Sequence, residues 1–129
     1  MNNFGFGKTV ELAFDDAIQR VTEELAKEGF GILTVIDVQA TLKEKLGKDM
    51  RGYRILGACN PVLAHQAITA VPEIGLLLPC NVLLREDEKE QVHVEFMDPS
   101  AVLGLVNNPQ IEPLAIQVRQ KLENVLNRL

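Results

Sequence analysis

The chain has 129 residues, of which 47% are hydrophobic and 24% charged, with a formal net charge of −5. That is the size and balance of one domain with its own core, spanning 1–129, and it excludes a pair of ordinary domains or a disordered chain. The densest charged run, Arg85-Glu86-Asp87-Glu88-Lys89-Glu90, carries both signs, so no basic stripe of the kind that neutralises phosphates is visible and no nucleic-acid partner is expected.

The first residues, Met1 to Lys8, do not place a basic region before an apolar run, so they do not read as a secretory signal. No apolar stretch approaches the roughly 20 residues needed to cross a bilayer, so no membrane segment is expected. A cytoplasmic location follows as the expectation, and with it two reduced cysteines. Trp is absent and aromatics are only 5%, which leaves Leu, Ile, Val and Ala to build the core.

In chain order, Phe4, Phe6, Lys8 and Val10 alternate with small or polar residues and predict a first strand. Phe14, Ala17, Ile18, Val21 and Leu25 recur at spacings of three and four, the stripe of an amphipathic helix. Gly29 suits its C-terminal end, while its start lacks a Ser or Thr cap. Phe30 to Ile36 is almost continuously apolar and predicts a strand buried on both faces.

Asp37 is placed to cap a short second helix with Val38 and Leu42 on its inner side and Gly47 at its end. Tyr53 to Ala58 predicts a third strand. Asn60-Pro61 then opens a third helix, with a capping Asn and a proline whose φ is already helical. Pro72 ends it. Leu76 to Leu84 and Gln91 to Met97 predict a hairpin; with Glu88 at the turn centre, Cys80, Val82 and Leu84 face Phe96, Val94 and Val92.

Asp98-Pro99 repeats the cap-and-proline signal. After Asn107-Asn108-Pro109, a last helix places Ile111, Leu114, Ala115, Val118, Leu122, Val125 and Leu129 on one stripe. The order βαβαβαββα predicts an α/β domain of α+β character. Its expected architecture is a single mixed sheet of about five strands, partly parallel, with helices packed on it.

Two segments share an unusual dipeptide, Gly57-Ala58-Cys59-Asn60-Pro61 and Leu78-Pro79-Cys80-Asn81. The first puts a thiol between a strand end and a helix start, where free N–H groups and the helix dipole favour anions and a thiolate. Cys59, Asn60, Pro61, Cys80, Asn81 and Asp37 are therefore the candidate ligand-binding residues. Core packing competes as the explanation, since free cysteine often behaves as a small buried hydrophobe, and the hairpin register puts Cys80 on the core side.

Cys59, Cys80, His65 and His93 are the residue types that hold zinc, but no CxxC or HExxH spacing joins them. Phosphate-loop, dinucleotide and nucleophile-elbow signatures are absent as well. Asp37, Glu73, Glu95 and Asp98 could meet for acid–base work only if the fold converges them, and two of the four already serve as caps.

The segments Gly29-Phe30-Gly31-Ile32-Leu33 with Ile36-Asp37, Tyr53 to Pro61, and Pro72 to Val82 resemble, in that order, the domain-of-unknown-function 302 family. The resemblance runs over nearly the whole chain. It implies a small α/β domain, often a homodimer, with recurring positions at Asp37, Cys59, Pro61, Pro79 and Cys80 and no assigned activity or cofactor. The leading expectation is a non-enzymatic domain that binds a small ligand or a metal, or associates with itself, using the Cys59-Asn60-Pro61 turn. One alternative is a thiol-dependent or redox enzyme using Cys59; another is a purely structural dimeric subunit.

Overall fold

The computed structural model describes residues 2–129. Strands β1 (Gly5–Val10), β2 (Gly31–Asp37), β3 (Tyr53–Cys59), β4 (Cys80–Glu86) and β5 (Val92–Met97) form one sheet in the order β1-β5-β4-β3-β2. Helices α1 (Phe14–Lys27), α2 (Val38–Leu46), α3 (Pro61–Ala70), α4 (Pro99–Leu103) and α5 (Glu112–Asn127) join them, with 3-10 segments at Pro72–Leu77 and Gly104–Val106. This is the expected α+β domain of five strands with helices packed on the sheet.

The pairing differs from expectation in one respect. Every neighbouring pair of strands is antiparallel, so the sheet is not mixed. A parallel crossover needs a helix that packs back onto the sheet. Helix α2 cannot serve, because it buries no residue fully; Val38 and Leu42, expected to face inward, are only half-buried. The chain therefore returns as β3 beside β2 in the opposite direction.

Strand β2 is consequently an edge, and it is not buried on both faces as its apolar run suggested. Leu33, Val35 and Ile36 are 67%, 58% and 48% exposed. The hairpin register also moves by one cross-strand pair. Val82 faces Phe96 and Leu84 faces Val94, so the turn centres on Lys89 rather than Glu88. Asp87 sets this: its carboxylate accepts from the N–H groups of Lys89 at 2.8 Å and Gln91 at 3.0 Å, and its own N–H donates to the Gln91 carbonyl. A shift of two residues preserves facing, so the apolar residues remain together.

The two faces of the sheet differ sharply. Val82, Leu84, Val94, Phe96 and Leu56 are fully buried on one face, beneath α1 and the rest of the helical layer. The other carries Tyr53, Ile55, Leu83, Arg85, His93 and Glu95, all half-buried, with Asn81 and Thr9 exposed. Leu76 and Leu77, expected in the hairpin, instead belong to the 3-10 segment that precedes β4.

Local signals explain the helix ends. Helix α1 starts without a side-chain cap, as its sequence foretold, with Asp15 and Asp16 in the first turn to favour the dipole. It ends where Gly29 adopts φ +85°, a conformation costly for a residue with Cβ. Asp37, Asn60 and Asp98 cap α2, α3 and α4. Helix α5 is held onto α1 by Glu24, only 4% exposed, which pairs with Arg128 at 2.6 Å and Lys27 at 2.8 Å. Hydrogen bonds from Lys27 and Arg128 hold the Glu24 carboxyl down at about 2.

Candidate functional site

Helix α3 leaves the end of β3, crosses beside the core face of the sheet, and meets the N-terminal half of α5 through Leu63 and Ala67 on one side and Leu114 and Val118 on the other. The small residues Ala58, Ala64 and Ala67 do not fill the space between these elements. A cavity of about 300 Å³ remains, with Phe30 and Cys80 in its wall. This is the lower end of the size range of small-ligand pockets, and about ten times the volume one water occupies in the liquid.

The wall is apolar. Among the described residues it includes no charged side chain. The amide of Asn60 is already engaged: its Oδ1 accepts from the Leu63 N–H and its Nδ2 donates to the Glu28 carbonyl, both at 3.3 Å. Asn60 thus fixes the start of α3 against the end of α1. The two thiols are the remaining groups with any polarity, and neither is in a disulfide. An ionic ligand would enter without a partner for its charge, which is costly; an uncharged apolar one would not.

Cys80 lies opposite Ala58 in the β3–β4 ladder and is 6% exposed. Burial, and secondarily the neighbouring Cys59, push its thiol up from 9.0 to about 11. It remains a neutral thiol at physiological pH and is a poor nucleophile there. Cys59 closes β3 opposite Gly31, is half-buried, and sits one residue before the Asn60 cap.

The other candidate residues separate. Pro61 provides the first position of α3 and does not line the cavity. Asn81 points to the opposite face of the sheet and is exposed. Asp37 stands at the far end of β2 and β3, where it caps α2 and pairs with Arg54 at 3.2 Å. The metal candidates also fall apart: Cys59 and Cys80 share the cavity, His65 borders a separate groove with Gln110 and Gln117, and His93 is on the open face. No group of three or more His, Cys, Asp or Glu among the described residues is placed to hold a metal ion.

The four carboxylates considered for acid–base work do not converge either. Glu95 pairs with Arg85, Asp98 with Arg119, and Asp37 with Arg54, while Glu73 occupies the first turn of the 3-10 segment. Sequence reasoning missed the helical half of the site, Leu63, Ala67, Leu114 and Val118. Their apolar periodicity announces burial, but not a gap between two helices that only their packing creates.

The family model described as "Domain of unknown function DUF302" matches residues 6–129. Among solved structures, the crystal structure of an uncharacterized conserved DUF302 protein from Bacillus stearothermophilus is similar over 98% of each chain. Its TM-score is 0.91 and its sequence identity 27%. No curated protein matches the chain. No helix among the described residues is long and apolar enough to cross a membrane.

Proposed function

Because the chain belongs to the DUF302 family, whose description carries no activity, we propose from the geometry that it binds a small, uncharged, apolar ligand between α3, α5 and the core face of β3 and β4. The observation that carries this reading is the wall of the 300 Å³ cavity, which has two thiols and no charge to offer. Binding there replaces water contacts along an apolar lining, at roughly 25 cal/mol per Å² removed from solvent. Cys59 and Cys80 contribute soft, polarisable contact surface, with Cys80 remaining a neutral thiol.

Native mass spectrometry of untagged protein tests this with matched ligands, indole against indole-carboxylate. Indole should bind at least about tenfold more tightly, since a buried carboxylate would lack a partner. Ala67→Phe, which fills the space beside Leu114, should abolish the complex. Equal binding of the two ligands, or binding untouched by Ala67→Phe, would refute the assignment.

A second reading concerns self-association. The open sheet face presents Ile36, 48% exposed, in one cross-strand row with the half-buried Ile55 and Leu83. An apolar row bordered by the Arg85–Glu95 pair has the apolar-centre, polar-rim character of a protein interface, and a second copy of the chain is its proposed occupant. Sedimentation should show a dimer that Leu83→Lys converts to monomer; a wild-type monomer at high concentration excludes it.

A further inference from the structure

The open face of the sheet contains a group of side chains that the apolar cavity does not explain. Thr9 lies opposite His93 in the β1–β5 ladder, and its Oγ1 is 3.2 Å from His93 Nδ1. The other ring nitrogen, Nε2, is 2.8 Å from Asp87 Oδ2 at the hairpin turn. Hydroxyl, imidazole and carboxylate therefore stand in one hydrogen-bonded line.

The proton positions follow from the chemistry. The His93 and Gln91 hydrogen bonds hold the Asp87 carboxyl down at about 2, so at neutral pH it is ionised and can only accept. His93 Nε2 must then carry the proton and donate it to Asp87. In the neutral ring Nδ1 is left as the acceptor, and Thr9 donates to it. A hydroxyl hydrogen-bonded to an imidazole whose far side is oriented by a carboxylate is the arrangement of an activated oxygen nucleophile.

This line also opens into a groove. A depression of about 220 Å³ is bounded by Thr9, His93, Arg85 and Glu95, with Gly5 and Gly7 along β1. Gly7 is required by close approach of the strands, since a Cβ there would lie 2.1 Å from the Val94 carbonyl oxygen. With no side chains at these two positions, the groove stays open beside Thr9. Arg85 pairs with His93 across the strands; its Nε donates to Glu95 at 2.5 Å, and its two terminal nitrogens have no protein partner among the described residues.

We propose that Thr9, His93 and Asp87 form a hydrolytic relay for small carboxylic esters in this groove, a site separate from the apolar cavity and on the opposite face of the sheet. Thr9 Oγ1 attacks the ester carbonyl carbon as its proton passes to His93 Nδ1. The C–O bond to the leaving group breaks, and the imidazolium returns that proton to the departing alkoxide. Water then attacks the threonyl ester, giving its proton to His93, and release of the acid restores the Thr9 hydroxyl. Asp87 is a positioning residue that holds the ring and balances the transient imidazolium. The free nitrogens of Arg85 are the donors for the carbonyl oxygen as it gains charge. The groove has about seven times the volume of a water, so the acyl group is short.

The test is release of nitrophenol from p-nitrophenyl acetate, with intact-mass analysis to find the acylated residue. Wild type should exceed buffer. The charged groups facing His93 are Asp87 on the turn, Arg85 on β4 and Glu95 on its own strand. Thr9→Val should abolish the rate, Thr9→Ser should retain it, and His93→Gln should lower it by about 10²–10⁴-fold. Asp87→Asn should shift the pH profile as well as slow the reaction. An unchanged melting temperature in Thr9→Val separates loss of chemistry from loss of fold; if that variant does not fold, Thr9→Ser and His93→Gln carry the test. Wild type no faster than buffer, full activity in Thr9→Val or His93→Gln, or an acyl group on Cys59 or a lysine would overturn the proposal.

Discussion

The two faces of this sheet solve different problems with neighbouring residues. Leu84 and Leu83 are adjacent in β4, yet Leu84 is completely buried under the helices whereas Leu83 is half-buried on the open face. The covered face spends its residues on cohesion, and it leaves an apolar cavity where alanines meet α5. The open face keeps its polar groups hydrogen-bonded in cross-strand pairs such as Arg85–Glu95 and Thr9–His93. Apolar recognition belongs to the first surface and polar chemistry to the second, because burial removes water from one and leaves it beside the other.

The sharpest way to break this contrast is to truncate the two leucines separately. Leu84→Ala should cost about 2–5 kcal/mol in denaturant unfolding, as expected for a cavity cut into a packed core. Leu83→Ala should cost about 1 kcal/mol or less in the monomer. Similar losses at the two positions would show that the open face is covered in solution.

A second, smaller effect concerns thiol chemistry. A rise from 9.0 to about 11 leaves Cys80 with about a hundredfold less thiolate at neutral pH than an unshifted thiol. Cys80 should therefore react with iodoacetamide at least about a hundred times more slowly than a free model thiol. The apolar ligand should slow modification of Cys59 as well, since both thiols border its cavity. Rapid labelling of Cys80 would mean that the covered face opens readily.

Acid separates the faces more gently. Glu24 in the helical layer and Asp87 beside the open face are both held down at about 2, from 4.5 and 3.8. For a depressed carboxyl, the contribution to stability is complete above the unfolded value and disappears as pH falls through the folded one. Melting temperature should thus be insensitive to these two groups at neutral pH and fall between about pH 4.5 and 2. Glu24→Gln should flatten that fall by loosening the α1–α5 contact, and Asp87→Asn should flatten it less, because its turn is exposed. Identical profiles in wild type and both variants would remove these carboxylates from the acid transition.

The readable parts of this fold were those with local causes. Asp37, Asn60 and Asp98 announced helix starts because capping depends on a side chain and the backbone within three residues of it. The alternation of Cys80, Val82, Leu84 with Asn81, Leu83, Arg85 gave the two hairpin faces for a similarly local reason. Strand direction was not readable, since an apolar run has the same period whichever way its neighbour points. Phe30 to Ile36 looked doubly buried, but only its pairing partners determine that it is an edge.

The sites follow the same division. Cys59, Asn60 and Cys80 stood out through a shared Cys-Asn dipeptide, and the fold brings both copies to the same end of the β3–β4 ladder. Asp37 was legible as a cap but not as distant from them. The Thr9–His93–Asp87 line was not legible at all, because it joins a strand to a hairpin 84 residues away in sequence, through a β1–β5 pairing that no local signal announces.

The central claim, that the covered face holds the apolar ligand site, is tested most directly by methyl NMR during titration with indole. The account predicts saturable shifts at Ala58, Leu63, Ala67, Leu114 and Val118, with Ile55 and Leu83 unmoved. Shifts confined to Ile36, Ile55 and Leu83, or no saturable shift in the cavity methyls, would contradict it.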